Sequence, residues 1–269
     1  MKVRRLLSCL SFFLLLTCVT SGELSKAPDL RLSFVIDKEY DKDNVVSMFR
    51  SYTPAGLEAR ATSMGVDINV AGEIRDAADL SEAKQLAAKL VEDRFARDGA
   101  AIQASKADFE AQWKDLIPLF SHVVVETTES PWVHPEYICV VSSIHVGLSN
   151  WYGNKVAANF VRGRADKGKL PAQEITLSDV FQLLRKRHPR EELGDWQVWA
   201  FSEITASLIL DDPRFQVFWP NSPILSNYPQ LTALRPKLKD LFYHRTTYVD
   251  YEDKSVPLLR DFDPRNRGQ

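Results

Sequence analysis

Tyr137-Ile-Cys-Val-Val-Ser-Ser-Ile-His-Val-Gly-Leu-Ser149 is the stretch on which the reading of the fold turns. In an extended chain Ile138, Val140, Ser142, Ile144, Val146 and Leu148 share one face, and Cys139, Val141, Ser143 and His145 the other. The period of two predicts a strand. Before it, Phe120–Thr128 is rich in β-branched residues and predicts another, with Glu129–Glu136 (Pro131 and Pro135 inside it) as the connecting loop. After it, Lys155–Arg162 and Gln173–Leu177 predict a third and a fourth. The connections read as too short for parallel crossovers, so the strands are expected to form an antiparallel meander.

Further strands are expected at Leu30–Ile36, Val66–Val70, Phe215–Trp219 and Phe242–Val249, with Asp37–Asn44 as a polar turn. The helical signal is strongest from 79 to 117. Asp79 and Glu82 fit an N-terminal cap, and Ala83, Leu86, Ala87, Leu90, Val91 and Phe95 recur at the 3.6-residue period. Gly99 is a candidate interruption, and Ser105 with Asp108 a second start before Phe109, Trp113, Leu116 and Ile117. Ser178–Lys186, Asp195–Leu210 and Leu231–Leu241 read as helices; Trp196, Trp199, Phe201, Ile204 and Leu208 give the second its apolar contacts. The expected class is α+β, an antiparallel sheet meander with helices packed on one face. One domain over 23–260 would hold the helical segment 79–117 and a strand core at 120–181, before a flexible tail at 261–269.

The chain has 269 residues and begins with a basic start (Lys2, Arg4, Arg5), then the 14-residue apolar run Leu6–Val19, then small residues Thr20, Ser21 and Gly22. This order reads as a secretory signal peptide over 1–22, and the run is too short to span a bilayer. A periplasmic or secreted product is therefore expected. The alternatives are an uncleaved N-terminal anchor and a lipid anchor at Cys18, for which Thr17 is an unusual preceding residue. Losing three basic residues with the leader takes 34 basic residues to 31 against 36 acidic, a net charge of −5. That argues against a general nucleic-acid binder, and the basic run Arg185–His188 with Arg190 reads as a solvated helix end. Cys139 is then the sole cysteine, so no internal disulfide is expected.

The chemistry-bearing patterns are incomplete. Gly163-Arg-Ala-Asp-Lys-Gly168-Lys169 nearly fits a phosphate-binding loop, but Leu170 stands where Ser or Thr should hold magnesium. Cys139 and His145 share a strand face at about 20 Å, too far for a nucleophile–base pair. His122 with Glu126, and His134 with Glu136, lack zinc spacing, and Asp37, Glu39, Asp41 and Asp43 alternate like a calcium loop without its glycine. Asp211-Asp212 reads as a cap and turn, Asp250 and Glu252 as a solvent face. The sequence assigns no catalytic residue, no metal set and no cofactor. Its one suggestive surface feature is aromatic density at strand ends, which makes Trp132, His134, Tyr137, Trp151 and Tyr152 the candidate ligand-binding residues.

Tyr137–Phe181 also resembles the extracytoplasmic domain of RsiV-type anti-sigma factors, a domain found beside some peptidoglycan deacetylases. The carrying segments are Ile138–Leu148, the turn Trp151-Tyr152-Gly153-Asn154, the return strand Ala157–Arg162, Asp166-Lys-Gly168-Lys169 and Thr176-Leu-Ser-Asp-Val-Phe181. A Gly-Gly-Ala-His-like run of the relatives is replaced here by Gly153-Asn-Lys-Val-Ala157. The resemblance implies a sheet-and-helix domain of the cell envelope, with protein or glycan binding by analogy. The expected function is an exported bacterial envelope binding protein without catalytic activity, recognising a protein or glycan. The alternative is an envelope hydrolase acting on peptidoglycan or a related glycan.

Overall fold

A computed structural model describes residues 30–51, 53–144, 153–161, 164–219 and 228–263. The leader with Cys18, together with His145, Trp151 and Tyr152, lies outside the described residues. The elements are β1 (Arg31–Val35), α1 (Lys38–Ser51), α2 (Pro54–Ser63), α3 (Ile68–Asp76), α4 (Leu80–Thr128), β2 (Glu136–Ser142), β3 (Lys155–Asn159), α5 (Arg164–Arg187), α6 (Asp195–Leu210), α7 (Arg235–Tyr243) and α8 (Tyr248–Arg260). The chain is mainly helical around a three-stranded sheet of order β1-β2-β3 in which both pairings are parallel. The expected antiparallel meander is therefore wrong.

Two physical reasons account for the correction. Residues 143–154 link β2 to β3, and about a dozen residues suffice for a parallel crossover. Several segments read as strands are also helices whose burial overrides local propensity. Phe120, Val123, Val124 and Thr128 fall at helical spacing on the buried side of α4. Thr128 donates its hydroxyl to the Val124 carbonyl at 2.9 Å, and Glu129 ends the helix in the left-handed region (φ 51°). Gln173–Leu177 lies within α5, Val66–Val70 leads into α3, and Phe242–Val249 joins α7 to α8. A 3-10 turn, Pro213–Val217, occupies most of the strand expected at Phe215–Trp219.

Short polar residues at helix starts explain two misreadings. Asp37 accepts the Tyr40 N–H at 3.0 Å, so the polar run read as a turn starts α1. Asp67 accepts the Asn69 N–H at 2.7 Å and starts α3. The helical reading of 79–117 holds and extends: α4 runs through Gly99 and Pro118 for 49 residues, about 74 Å at 1.5 Å per residue. Asp79 accepts from Glu82 N–H, and the Glu82 carboxylate accepts from Ala78 N–H.

The long helix serves two apolar clusters. Ala83, Ala87 and Val91 pack with Val45, Phe49, Leu57 and Ile74 of α1–α3. Ile102, Phe109, Trp113 and Phe120 pack against the sheet and α5–α8. Phe34, Cys139 and Val156 are register partners on that sheet face, and Phe34 stacks on Phe109 at 5.3 Å. On the other face Lys155, the register partner of Ile138, lies over the Tyr40 ring of α1 at 5.1 Å. Helices thus cover both faces, not one.

Candidate functional site

Trp132, His134 and Tyr137 are brought together where β2 begins. Trp132 is buried and donates its indole N–H to Ser121 at 2.9 Å, and Tyr137 is fully buried. Their rings meet edge-on at 5.9 Å, and His134 meets Tyr137 at 5.8 Å. These rings wall the core, with Trp132 7% and Tyr137 0% exposed. His134 is half-buried, with Nε2 2.7 Å from Gln182 Oε1, and Gln182 and Ser178 both donate to the Gly153 carbonyl.

Beside them Asp179 accepts the Val133 N–H at 2.8 Å and the Tyr137 hydroxyl at 3.4 Å. Burial pushes its carboxyl up to about 6, against the pull of those two donors. Its folded value lies above its unfolded one, so the stability it contributes is present in acid and lost as pH rises through about 6. Asp179→Asn keeps an acceptor but cannot ionise. Wild type is expected to gain about 1.4 kcal/mol from this group between pH 7.5 and 5, and the variant none of it. Urea unfolding at the two pH values measures the difference, and equal gains in both proteins would refute the assignment.

The other sequence candidates resolve into structural roles. Asp41, buried on α1, accepts from the Ser143 N–H at 2.9 Å and the Ser143 hydroxyl at 2.7 Å. Asp37 pairs with Lys155 and Asp43 with Lys84, so the alternating acids point to different partners on a helix. Cys139 is fully buried, and burial pushes its thiol far up, away from the thiolate a nucleophile needs. A helix does follow β3, but it begins at Arg164 and includes Gly168 and Lys169, so no phosphate-cradling loop precedes them. Glu126 sits 3.9 Å from His122 but 2.7 Å from Arg214. Among the described residues no group of three or more His, Cys, Asp or Glu can hold a metal.

The feature that sequence reasoning missed is a cleft between the start of α6 and the end of α8, lined in part by Gly194, Asp195, Trp196, Gln197, Arg260 and Phe262. Trp196 is 63% exposed. Its ring is braced edge-on by Trp199 at 5.7 Å, and Trp199 by Tyr228 at 5.1 Å. Trp196 and Trp199 were both expected to supply apolar contacts. The first turn of a helix projects beyond the body it packs on, so only Trp199 turns inward. Gln197 accepts the Gly194 N–H at 2.6 Å, which caps α6 and fixes one wall.

The basic run read as solvated builds that wall. Arg185 donates to the carbonyls of His188 (3.2 Å) and Leu193 (2.6 Å) and to Asp195 (2.8 Å), and Arg190 pairs with Asp195 at 2.9 Å. Glu192 accepts from His188 Nδ1 at 3.0 Å and from Arg260 at 2.6 Å. These two bonds hold its carboxyl below the usual range, the His188 bond contributing most. Arg187 pairs with Glu252 and Asp253, so Glu252 is buried rather than on a solvent face. An exposed indole beside fixed planar donors and acceptors can stack on one face of a ring and bond its hydroxyls.

No family model, curated protein or solved structure matches the chain. In the segment carrying the anti-sigma-factor resemblance, β3 runs parallel to β2 and Thr176–Phe181 lies inside α5. No helix among the described residues is long and apolar enough to cross a membrane.

Proposed function

We propose that the chain is an exported binding protein of the bacterial cell envelope that holds a glycan in the α6–α8 cleft. Trp196 carries this reading: a large indole, mostly exposed, braced by a second aromatic ring and set on the rim of a cleft with polar walls. Binding sites are typically concave, with an apolar platform and a few placed polar groups, and Trp is enriched among the residues that dominate binding energy. The basic, apolar and small-residue order of residues 1–22 supports export, and the mildly acidic charge fits a neutral ligand better than a nucleic acid.

The test is titration of chitotetraose and of solubilised peptidoglycan into the mature protein and into Trp196→Ala. The variant is expected to lose at least about tenfold in affinity, as a hot-spot truncation does. Its unfolding midpoint should stay put, because the ring is mostly outside the core. Unchanged affinity would remove the cleft as the site. Release of soluble products from either material would show turnover and replace the binding reading with hydrolysis.

A further inference from the structure

Within the glycan reading of this cleft, we propose that Glu192 is its positioning residue: it ties Arg260 to His188 and keeps the guanidinium charge-neutralised, so that the cleft selects uncharged over anionic sugars. Glu192 joins the two walls. It lies two residues before Gly194 on one side and accepts from Arg260, the last residue of α8, on the other. Each carboxylate oxygen has one partner, Oε1 taking Arg260 at 2.6 Å and Oε2 taking His188 at 3.0 Å.

The base of this bracket is itself fixed. The His188 N–H donates to Leu184 at 2.9 Å, and its carbonyl accepts from Arg185 at 3.2 Å. Arg260 is about half exposed, so its guanidinium is available to the cleft while its charge is already met. Asp195 on the facing wall is met in the same way by Arg185 and Arg190. Asp261 adds a carboxylate to the rim, which further disfavours an anion. A guanidinium freed from Glu192 would instead bind a sugar carboxylate in a two-pronged bond, the geometry for which arginine is best suited.

The first measurement needs no ligand. Fluorescence of wild type minus that of Trp196→Phe isolates the cleft indole, and its quenching is compared for iodide and caesium ions. In Glu192→Gln the iodide-to-caesium quenching ratio is expected to rise about twofold, because local positive charge concentrates the anion. Adding Arg260→Gln to that variant should restore the wild-type ratio, and His188→Gln should produce a smaller rise. An unchanged ratio in both single variants overturns the proposal.

The second measurement compares chitotetraose with tetragalacturonate. Wild type is expected to favour the neutral sugar by about tenfold, and Glu192→Gln to narrow that preference to about threefold or less. A preference that survives Glu192→Gln intact overturns the selectivity role. Failure of both sugars to bind wild type, with the quenching shift present, sinks the glycan reading and leaves the neutralising role of Glu192 standing.

Discussion

Trp113→Ala is expected to destabilise the protein by about 4 kcal/mol, within the range for truncating a large aromatic in a packed core. Trp113 is 1% exposed on α4. Its ring meets Phe120 edge-on at 5.2 Å and Phe34 of β1 at 6.2 Å. It therefore joins the long helix to itself one heptad on, and to the sheet. Alanine leaves a void that Phe34 and Phe120 cannot both fill, because Phe34 is held by the β1–β2 ladder and Phe120 by its own helix. The midpoint of thermal unfolding should fall by about 12 °C for a chain of this size. Trp113→Phe keeps most of the contact and should cost about 1.5 kcal/mol. Trp196→Ala, by contrast, should stay within about 0.5 kcal/mol of wild type. Urea unfolding of the three variants checks the order. A loss below about 1.5 kcal/mol for Trp113→Ala would mean that α4 does not seat on the sheet as described.

What the sequence revealed, and what it hid, follows from how local each signal is. Asp79 with Glu82, and the stripe from Ala83 to Phe95, announced the start of α4 because cap and period both lie within a few turns. Asp195–Leu210 was legible from its dense apolar residues, which are buried on all sides from Ala200 to Leu210. Phe120–Thr128 was not: its β-branched residues favour a strand locally, and only the helix already running from Leu80, with burial of Phe120, Val123 and Val124, decides otherwise. Strand direction was also hidden. It depends on where residues 143–154 lead the chain, and length alone allows both answers at about twelve residues. At the strand ends, the sequence showed that aromatic residues cluster but not which of them are exposed. Trp132 and Tyr137 sit beneath α4 and α5, whereas Trp196 projects from a helix start, a difference that only packing sets. Arg187 in that basic run looked solvated because its partners, Glu252 and Asp253, are more than sixty residues away.

That same run makes the last prediction. Arg187→Ala is expected to cost about 2–3 kcal/mol near pH 7.5, less than the 3–5 of a fully buried pair because solvent reaches the guanidinium. The Glu252 side chain is 2% exposed, while that of Arg187 is 34% exposed. Arg187 bonds Glu252 through one nitrogen and Asp253 through the other at 2.6 Å. Burial pushes the Glu252 carboxyl up, and the Arg187 bond is the largest influence pulling it back. Without Arg187 the carboxylate stays buried with its charge uncompensated, and its folded pKa rises further above the unfolded value. The deficit is then fully present above that raised folded pKa and should shrink as pH falls from there toward the unfolded value and acid protonates Glu252. Glu252→Gln in the Arg187→Ala background removes the stranded charge and should recover most of the loss at pH 7.5. Urea unfolding of the single and double variants at pH 7.5 and 5 reads both effects. If the double variant is no more stable than Arg187→Ala, and the loss is the same at both pH values, the cost lies in the packing of the arginine stem and not in the buried carboxylate.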